Sequence, residues 1–478
     1  MNKRILIIGA GPAGLAAAYK LCKRGMEVHI YESHPQQVGG LSKTIAHKEF
    51  SFDIGGHRFY TKSEEVREFW HKIMGDQFLK RKRLSRIFFE NKFFNYPLEL
   101  SDVLLKISPL RSLGFLLSYL KAQIENKLLS HRESHSLEDW LTHHFGKSLY
   151  KTFFKSYSEK VWGRPCSQIS SDWAAQRIND FNVKEIVFQL VKKGLFLNRP
   201  LSPKKLKTLI GEFDYPEKGP GMLWDKVAKE IESMGGKIYL HHRVKEISKP
   251  KDNQWQLSFE NGEESLIGDH LISTYPMKEL LGHMKSLIDR PEYNKWLSEI
   301  QYRDFLTIVL MFKKKVTFPD NWIYIHDKNV NVARIQNYKN WSPFMVPSEE
   351  YTSYGLEYFC QKGDGLWEKS DDELFSMAID EIKKIDLPFS EIELEYKVLR
   401  IPKAYPVYDH NHRNRLEEIK NYLEKFPTLH LAGRNGMHRY NNQDHSIKTG
   451  FLCAENIAAD KKLFDPWQVN QDAIYLEK

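Results

Sequence analysis

The first sixty residues alternate between short apolar runs and one amphipathic stretch. Residues 5–8 form a β-branched apolar run, which predicts a strand, and the apolar positions of residues 15–24 recur at helical spacing. A second apolar run, residues 27–31, predicts another strand and ends at the acidic Glu32. The order strand, helix, strand, acid is typical of the first unit of a dinucleotide-binding domain.

Three glycines fill the turn between the first strand and the helix. Gly9 permits the tight turn, Gly11 lets the backbone approach a pyrophosphate, and Gly14 lets helix and strand pack closely. The helix N-terminus then faces the phosphates. Glu32 is placed to accept a hydrogen bond from a ribose hydroxyl, and its charge would repel a 2′-phosphate. The sequence therefore predicts bound FAD or NAD, and not NADP.

Two further glycine pairs favour FAD over NAD. Gly39 and Gly40 follow soon after the acid, and this segment resembles the FAD proteins of the amine oxidase and glutathione reductase types. Gly55 and Gly56 form another pair beside His57, and the resemblance implies that this stretch runs under the isoalloxazine. The alternative interpretation is a hairpin turn that contains glycine. We predict that the cofactor is FAD.

The chain is too long for one core, and its patterns predict interleaved domains. We expect an FAD-binding domain from residues 1–61, 206–279 and 425–465. Residues 62–205 are predicted to form a helical substrate or lid domain, and residues 280–424 a substrate domain on an antiparallel sheet. The predicted fold class is α/β, with a Rossmann-type FAD-binding domain of the glutathione reductase type interleaved with the other two domains.

Strand patterns recur in the second half of the chain. Residues 306–312, 322–326, 332–336 and 354–359 are predicted strands of the antiparallel sheet. Within the helical region, residues 86–97 predict a β-hairpin. The sheet is therefore expected to carry the substrate side of the site.

Composition excludes several classes of protein. With 41% hydrophobic and 13% aromatic residues the chain is globular and not disordered. Its four cysteines lie far apart with no metal-binding spacing, so we expect no metal, free thiols and a cytoplasmic location. The chain has a basic start, but the apolar strand that follows leads directly into the dinucleotide-binding unit, so this segment is not interpreted as a signal peptide.

The formal net charge of +9 is consistent with an acidic partner, and most of it is interpreted as a solvated surface with a part focused on an anionic substrate. No nucleic-acid-binding motif is present, so we expect an anionic small-molecule substrate and no nucleic acid. Residues 104–129 are apolar, weakly amphipathic and lysine-bearing. They predict either a helix pair that covers the active site, which is the simpler interpretation, or a peripheral contact with a membrane surface.

Three later segments narrow the chemistry. They contain Lys160-Val161-Trp162, residues 331–343, and the polar run Asn442-Gln443-Asp444-His445-Ser446. Together with the glycine-rich N-terminus they resemble the UDP-galactopyranose mutase family, especially its longer eukaryotic-type branch. The resemblance extends over residues 3–457. A generic FAD oxidase would not need the polar run that follows the last strand of the dinucleotide-binding domain.

The resemblance implies roles for individual side chains. Arg177 and Arg334 would hold the substrate diphosphate from two sides, with Tyr405 and Tyr440 as further contacts, and His57 would lie beside the flavin. Always-charged guanidinium groups and neutral tyrosine hydroxyls suit a diphosphate. The alternatives are arginines in surface ion pairs, core tyrosines, and a buried histidine bonded to the backbone.

The predicted site divides into catalytic, substrate-binding and cofactor-binding residues. The catalytic residues are His57, Arg177 and Arg334. The substrate-binding residues are Arg177, Arg334, Tyr405, Tyr440 and Asn442. The cofactor-binding residues are Gly9, Gly11, Pro12, Ala13, Gly14, Glu32, Ser33, Gly39, Gly40, Leu41, Ser42, Gly56, His57, Val244, Gly433, Arg434, Asn442, Gln443, Asp444 and Ser446.

The family's chemistry is unusual for a flavin. In the mutases, N5 of reduced FAD attacks the anomeric carbon of a nucleotide-diphosphate sugar and displaces the diphosphate, after which the sugar ring opens and recloses through another hydroxyl. The implied function is pyranose–furanose interconversion in surface polysaccharide or glycan biosynthesis, with FAD active in its reduced form and NAD(P)H as a possible external reductant. Residues 55–60 match the family pattern only in part, and residues 85–120 contain no clear match for uridine binding.

Two other functions remain open at this point. One is an FAD-dependent oxidoreductase of the amine oxidase or protoporphyrinogen oxidase type, which acts on a glycan or a lipid-linked precursor. The other is a membrane-surface protein that uses FAD only structurally, which residues 104–129 motivate.

Overall fold

The computed structural model describes most of the chain. The described residues are 3–96, 98, 102–103, 106–128, 134–173 and 211–470. The strands are β1 (Arg4–Ile8), β2 (Glu27–Tyr31), β3 (Thr44–His47), β4 (Phe50–Asp53), β5 (Phe78–Lys82), β6 (Ser85–Phe89), β7 (Lys92–Asn95), β8 (Glu212–Pro216), β9 (Lys237–Tyr239), β10 (Val244–Ser248), β11 (Gln256–Phe259), β12 (His270–Ser273), β13 (Tyr302–Lys313), β14 (Trp322–Ile325), β15 (Arg334–Asn337), β16 (Tyr351–Cys360), β17 (Glu395–Pro406) and β18 (Leu429–Leu431). The longer helices are α1 (Pro12–Cys22), α2 (Glu64–Met74), α3 (Pro109–Leu128), α4 (Leu137–Phe145), α5 (Lys155–Trp162), α6 (Gly221–Ser233), α7 (Met277–His283), α8 (Tyr293–Glu299), α9 (Asp371–Ile385), α10 (His412–Leu423) and α11 (Gln443–Ala458).

A five-stranded parallel sheet forms the centre of the dinucleotide-binding region. Its strand order is β18-β12-β1-β2-β9, so strands from three distant parts of the chain lie side by side. The first strand is apolar because both faces of the sheet are covered, and Ile5 and Ile7 are fully buried. The predicted α/β fold class with interleaved sequence segments is confirmed.

Helices α1 and α11 pack together on one face of this sheet. A Cβ atom at Gly450 would lie 2.3 Å from the carbonyl oxygen of Ala13, so only glycine allows this close approach. The alanine-rich face of α1 contributes Ala13, Ala16 and Ala17 to the same core. The approach brings the N-terminus of α11 beside the glycine-rich turn.

The second large sheet has seven strands in the order β17-β13-β16-β15-β14-β6-β7. It is antiparallel except between β6 and β14. Helix α9 covers one face with Leu374, Ala378 and Ile382. The predicted hairpin at residues 86–97 is present as β6 and β7, and it extends this sheet although it comes from the otherwise helical part of the chain.

The helical region packs against the hairpin end of the seven-stranded sheet. Phe115 of α3, Trp140 of α4 and Phe153 share one apolar core with Phe94 of β7. Strands β5 and β8 pair antiparallel and bring together the two chain segments that flank this region. Among the described residues, no helix is both long and apolar enough to cross a membrane.

Candidate active site

One side of a deep cleft is built by cross-strand neighbours. Tyr324 on β14 lies opposite Arg334 on β15, and Arg334 lies opposite Glu357 on β16. One pleat further along, Trp322 lies opposite Gln336. Since alternate residues of a strand share a face, these two rows present aromatic and polar side chains to the same side of the sheet.

Arg334 is anchored by a buried carboxylate. Its Nε donates to Oε2 of Glu357, which is fully buried, while Nε2 of Gln336 donates to the other oxygen at 3.0 Å. Burial raises the pKa of Glu357, and the Arg334 charge opposes that rise. Although burial alone would lower it, the Glu357 carboxylate holds the pKa of Arg334 well above its ordinary value. The guanidinium is therefore charged and fixed in orientation.

The loop after β4 forms the facing side of the cleft. A Cβ at Gly56 would lie 3.1 Å from Nε2 of Gln336 and 3.3 Å from the Trp341 ring, so glycine lets this loop come close to the sheet. His57 follows directly. Burial, together with the charges of Arg434 and Arg334, lowers the pKa of His57 to about 3. The imidazole is neutral at ordinary pH.

Two tyrosines hold a second arginine in the cleft. The Arg434 guanidinium carbon lies 5.3 Å from the centre of the Tyr405 ring and 4.8 Å from that of Tyr440. The two rings are stacked, with centroids 5.4 Å apart. Nε of Arg434 donates to the carbonyl oxygen of Asn441 at 2.8 Å and Nη1 donates to that of Ala404 at 3.1 Å. This arginine is part of the framework as well as of the lining.

The N-terminus of α11 opens into the same cleft. Asn442 is its N-cap, and Gln443 and Asp444 form its first turn. Both amide atoms of Gln443 are buried without a hydrogen-bond partner among the described residues. An unpartnered buried amide is costly, and the amide groups of a helix N-terminus favour an electron-rich ligand. This end of the cleft is therefore suited to the polar edge of a bound cofactor.

The three glycines of the glycine-rich turn differ in their surroundings. Gly9 and Gly14 are required by close packing, whereas Gly11 faces open space. A Cβ at Gly9 would lie 2.3 Å from Oγ1 of Thr274, and one at Gly14 would lie 2.0 Å from the carbonyl oxygen of Gly9. At Gly11 the nearest atom would be the Cα of Gly40, 3.8 Å away. Gly11 is thus not required by protein packing, and the space beside it fits a ligand backbone such as a pyrophosphate.

Glu32 closes the turn as expected for a ribose-binding acid. Its carboxylate accepts from the amide nitrogens of Ala10 and His34, both at 2.8 Å, and from Oγ of Ser33 at 3.2 Å. These donors fix the side chain at the end of β2. The residues present therefore fit FAD, with the adenosine side at Glu32 and the flavin side toward the cleft.

Other predicted cofactor residues lie around the same turn. Pro12 and Ala13 begin α1, while Leu41 and Ser42 form a short 3₁₀ turn after Gly39. A Cβ at Gly433 would lie 3.0 Å from the Cβ of Ala13. Three predicted positions remain. Gly40 packs on Gly11, and Ser446 is buried in the first turns of α11. Val244 lies at the start of β10 and shares an apolar core with Tyr31.

A single cleft, partly open to solvent, collects these side chains. Five of the predicted catalytic and substrate-binding residues line it together, namely His57, Arg334, Tyr405, Tyr440 and Asn442. The cofactor predictions Leu41, Gly56, Arg434, Gln443 and Asp444 line it as well. Arg177 lies outside the described residues, and its role stays a prediction from the sequence.

Several lining residues were not predicted. Lys62, Trp322, Tyr324 and Gln336 line the cleft, and Glu357 lies behind Arg334. Strand alternation contained a signal for Gln336, because it stands two residues after Arg334 on the same strand face. The other positions depend on strand register, which pairs residues that are far apart in the sequence.

An aromatic extension adjoins the cleft-lining residues Tyr324 and Trp322. The Tyr96 ring lies 4.6 Å from the Tyr324 ring, and Tyr157 meets Tyr324 edge-on at 5.9 Å. The Arg83 guanidinium lies over both Tyr96 and Trp322, at 5.2 and 5.6 Å. Flat rings and a planar cation at one end of an arginine-lined cleft suit a flat, polar ring of a ligand.

Lys160 has a structural role in α5. Its Nζ donates to the carbonyl oxygens of Ile325, Asp327 and Val332, at 3.2, 2.9 and 3.0 Å. Burial lowers the pKa of Lys160 to about 8. The lysine ties α5 to the loop between β14 and β15, and it is not among the residues that line the cleft.

Comparisons with known proteins define the class of this flavoprotein. The profile of the flavin-containing amine oxidoreductase family matches residues 12–458. The chain belongs to this family, which makes FAD its cofactor. The family describes a fold and a flavin, and it does not specify the reaction.

Individual relatives include both oxidases and a mutase. Protoporphyrinogen oxidase 2 of Arabidopsis thaliana is 22% identical over 91% of this chain and 90% of its own length. L-amino-acid oxidase of Crotalus adamanteus is 41% identical over 71 residues, so the match spans only 14% of that relative. The crystal structure of reduced UDP-galactopyranose mutase superposes with a TM-score of 0.81 at 22% identity, covering 98% of this chain and 99% of that one. At this identity the structural likeness establishes the fold alone.

Proposed function

We propose that this protein is an FAD-dependent mutase that interconverts the pyranose and furanose forms of a nucleotide-diphosphate sugar, in the synthesis of a surface polysaccharide or glycan. The observation that carries the proposal is the charge of the cleft. Arg334 and Arg434 line it together with Tyr405 and Tyr440, beside the loop of His57. An oxidase for an apolar organic substrate has no need of two guanidinium groups at this place.

Arg334 is suited to hold a diphosphate. Its Nε is bound to Glu357, and Nη2 lies 3.7 Å from the Cβ position of Gly55, which lines the cleft together with Arg334. A guanidinium whose orientation is set before binding loses little entropy when it takes up a phosphate oxygen. Arg334 would thus bind the substrate and stabilise the diphosphate charge as it leaves the sugar.

Tyr405 would supply a neutral donor beside this charge. Burial raises the pKa of Tyr405 far above its ordinary value, so its hydroxyl keeps its proton at any physiological pH. A neutral hydroxyl donates to a phosphate oxygen without adding another charge to the cleft. Tyr440, stacked on Tyr405, lies where it would do the same.

His57 would act on the flavin side. Reduced FAD, when bound, supplies the nucleophile for the anomeric carbon. The neutral imidazole offers one donor and one acceptor nitrogen and adds no positive charge near the flavin. His57 would then orient a backbone carbonyl or the flavin, and it would not serve as a proton reservoir at neutral pH.

The aromatic extension would take the nucleobase. Tyr324, Tyr96 and Trp322 provide ring faces, and Arg83 lies over two of them. The distance along the cleft from these rings to Arg334 is short, since Tyr324 and Arg334 are cross-strand neighbours. A base and a diphosphate that are adjacent in one ligand match this arrangement.

The second candidate is an FAD-dependent oxidoreductase that acts on a glycan or a lipid-linked precursor. The family and the oxidase relatives favour it. An oxidoreductase consumes one oxidant for each substrate turned over, whereas a mutase needs the flavin reduced once, with NAD(P)H as an external reductant in our proposal.

We place the proposed mutase reaction in the cytoplasm, where the four buried free cysteines stay reduced.

Ligand titration tests the anion-binding assignment. We expect a nucleoside diphosphate to bind the FAD-loaded protein, and the matching nucleoside to bind much more weakly. Arg334→Gln should weaken diphosphate binding by about 10- to 100-fold, the range for one charged hydrogen bond. The control Arg67→Gln removes an exposed arginine that pairs with Glu64 and should leave binding unchanged. Equal binding by wild type and Arg334→Gln would rule out the assignment.

A further inference from the structure

Helix α3 carries a continuous apolar stripe on its outer side. The stripe residues follow one another at spacings of three or four positions and are between 41% and 85% exposed. The stripe consists of Leu110, Leu113, Leu117, Leu120, Ile124 and Leu128. This spacing keeps all six side chains on one face of a helix of 20 residues.

The opposite face of α3 is the one that packs against the protein. Ser112, Phe115, Tyr119 and Ala122 are buried there. The stripe therefore points away from the described part of the fold and does not cover the cleft. Its exposed area is roughly 600 Å², at the upper end of what monomeric proteins leave uncovered without a partner.

The net positive charge of the chain is concentrated in the sequence segment that contains this helix. Residues 80–164 contain sixteen lysines and arginines against eight aspartates and glutamates, so they carry eight of the nine net positive charges. Lys121 on α3 is exposed, as are Lys147 and Lys151 on the neighbouring turn. The amide of Ser148 donates to Oγ of Ser118, which fixes that turn against the middle of α3.

We propose that the α3 stripe lies on the surface of a membrane that contains anionic lipids. Apolar side chains flanked by lysines are the pattern of a helix that lies in the headgroup layer with its apolar face toward the acyl chains. The basic surroundings match the negative surface potential of such a membrane. In a pair of copies joined through this stripe, Lys121, Lys147 and Lys151 would instead approach surfaces of the same sign. The proposal does not depend on which reaction the cleft performs.

Vesicle flotation of the full-length, FAD-loaded protein tests this assignment. We expect binding to vesicles of phosphatidylcholine with roughly one third phosphatidylserine, and binding at least about tenfold weaker to phosphatidylcholine alone. The variant Leu113→Gln/Leu117→Gln/Ile124→Gln should lose binding to both. The control Val316→Gln/Ile392→Gln changes two exposed apolar residues elsewhere and should bind like wild type. Flavin content and thermal unfolding verify that each variant is folded.

A charge variant separates the two parts of the interaction. Lys121→Glu/Lys147→Glu/Lys151→Glu should weaken binding to the anionic vesicles at least about tenfold, and added salt should weaken wild-type binding in the same direction. The proposal is overturned if folded wild type does not float with anionic vesicles, or if the stripe variant floats as well as wild type. It is also overturned if light scattering finds a dimer that the stripe variant makes monomeric, because the stripe would then bind a second copy.

Discussion

Glu357 and Arg334 lie directly opposite each other on β16 and β15, and the arginine Nε donates to the fully buried carboxylate. The pair couples the interior of the seven-stranded sheet to the lining of the cleft. A buried ion pair seldom adds much stability in itself, and removing one partner is costly because the other charge stays behind. Its use here is to hold a charged guanidinium still in front of the flavin side of the cleft.

The first prediction concerns this pair. Glu357→Gln should lower the free energy of unfolding by about 3 kcal/mol, since it leaves the Arg334 charge without its partner. The double variant Glu357→Gln/Arg334→Gln should lose less than the sum of the two single variants, by at least about 1 kcal/mol. Urea unfolding of the FAD-loaded proteins measures both quantities.

An exposed ion pair serves as the control. Lys48 and Glu395 pair at the surface, so Glu395→Gln should cost less than about 1 kcal/mol. Strictly additive effects at Glu357 and Arg334 would mean that the two side chains do not interact as the geometry indicates.

The second prediction compares two glycines of the same turn. Gly11→Ala adds a Cβ with no atom nearer than 3.8 Å, so the protein should fold with nearly unchanged stability and lose FAD affinity at least about tenfold. Gly14→Ala places a Cβ 2.0 Å from a backbone oxygen and should lower stability whether or not FAD is present. Flavin absorbance per protein and circular dichroism of the apoproteins distinguish the two. A Gly11→Ala protein with a full complement of FAD would refute the placement of the pyrophosphate.

The third prediction concerns acid sensitivity. Burial lowers the pKa of His326 to about 3, and the pKa values of His270 and His438 to about 4, from an ordinary 6.5. Below pH 6.5 the unfolded chain takes up protons that the native histidines refuse. The contribution of these neutral histidines to the free energy of unfolding is therefore complete above pH 6.5 and is lost as the pH falls. The free energy of unfolding changes by roughly 1 kcal/mol per pH unit for each histidine.

Urea unfolding at a series of pH values between about 7 and about 5 measures this slope. His326→Gln should flatten it by the share of one histidine. Asp53 acts with the opposite sign, because burial raises its pKa to about 7 and its contribution is lost as the pH rises toward that value. Glu357, whose pKa burial also raises, acts in the same direction as Asp53, and the lowered pKa values of the three histidines should still outweigh these two carboxyl groups. A free energy of unfolding that increases on acidification would contradict the account.

The fourth prediction isolates one hydroxyl of the cleft. Tyr405→Phe keeps the ring that stacks on Tyr440 and flanks Arg434, and removes only the donor. Stability should change by less than about 1 kcal/mol, while nucleoside diphosphate binding weakens about 3- to 10-fold. Tyr396→Phe on the same strand is a matched control, because that hydroxyl pairs with Asp372 away from the cleft. Unchanged diphosphate binding in Tyr405→Phe would remove this tyrosine from the site.

The dinucleotide-binding half was predictable because its determinants are local. The glycine turn, the apolar strands and Glu32 lie within thirty residues of one another, and each constrains its neighbours directly. The same holds for the hairpin of β6 and β7, although its place in the seven-stranded sheet depends on a parallel contact with β14 that no local pattern encodes. Strand β17 was not predicted, since Pro402 and the charged Arg400 and Lys403 interrupt its apolar pattern. Its position at the edge of the sheet is where proline is tolerated.

Residues of the cleft that belong to a family motif were predictable from the sequence. Residues that reach the cleft through the register of paired strands were not. The family resemblance predicts Arg334 as a site residue. Its partner Glu357 stands 23 residues later, and only the pairing of β15 with β16 brings the two side chains together. Trp322 and Tyr324 entered the lining for the same reason. The converse case is Lys160, whose motif suggested function and whose contacts are with three backbone carbonyls.

In the proposed function the flavin serves a ring isomerisation and not a net oxidation. The most direct measurement is an anaerobic assay in which the FAD-loaded protein, reduced once with dithionite, is incubated with a panel of nucleotide-diphosphate sugars and the products are separated by chromatography. We predict that one sugar converts to its ring-size isomer until equilibrium, while the flavin absorbance stays that of the reduced form and no reductant is consumed. The contradicting result is that no sugar of the panel isomerises, while an organic substrate reduces the oxidised flavin stoichiometrically.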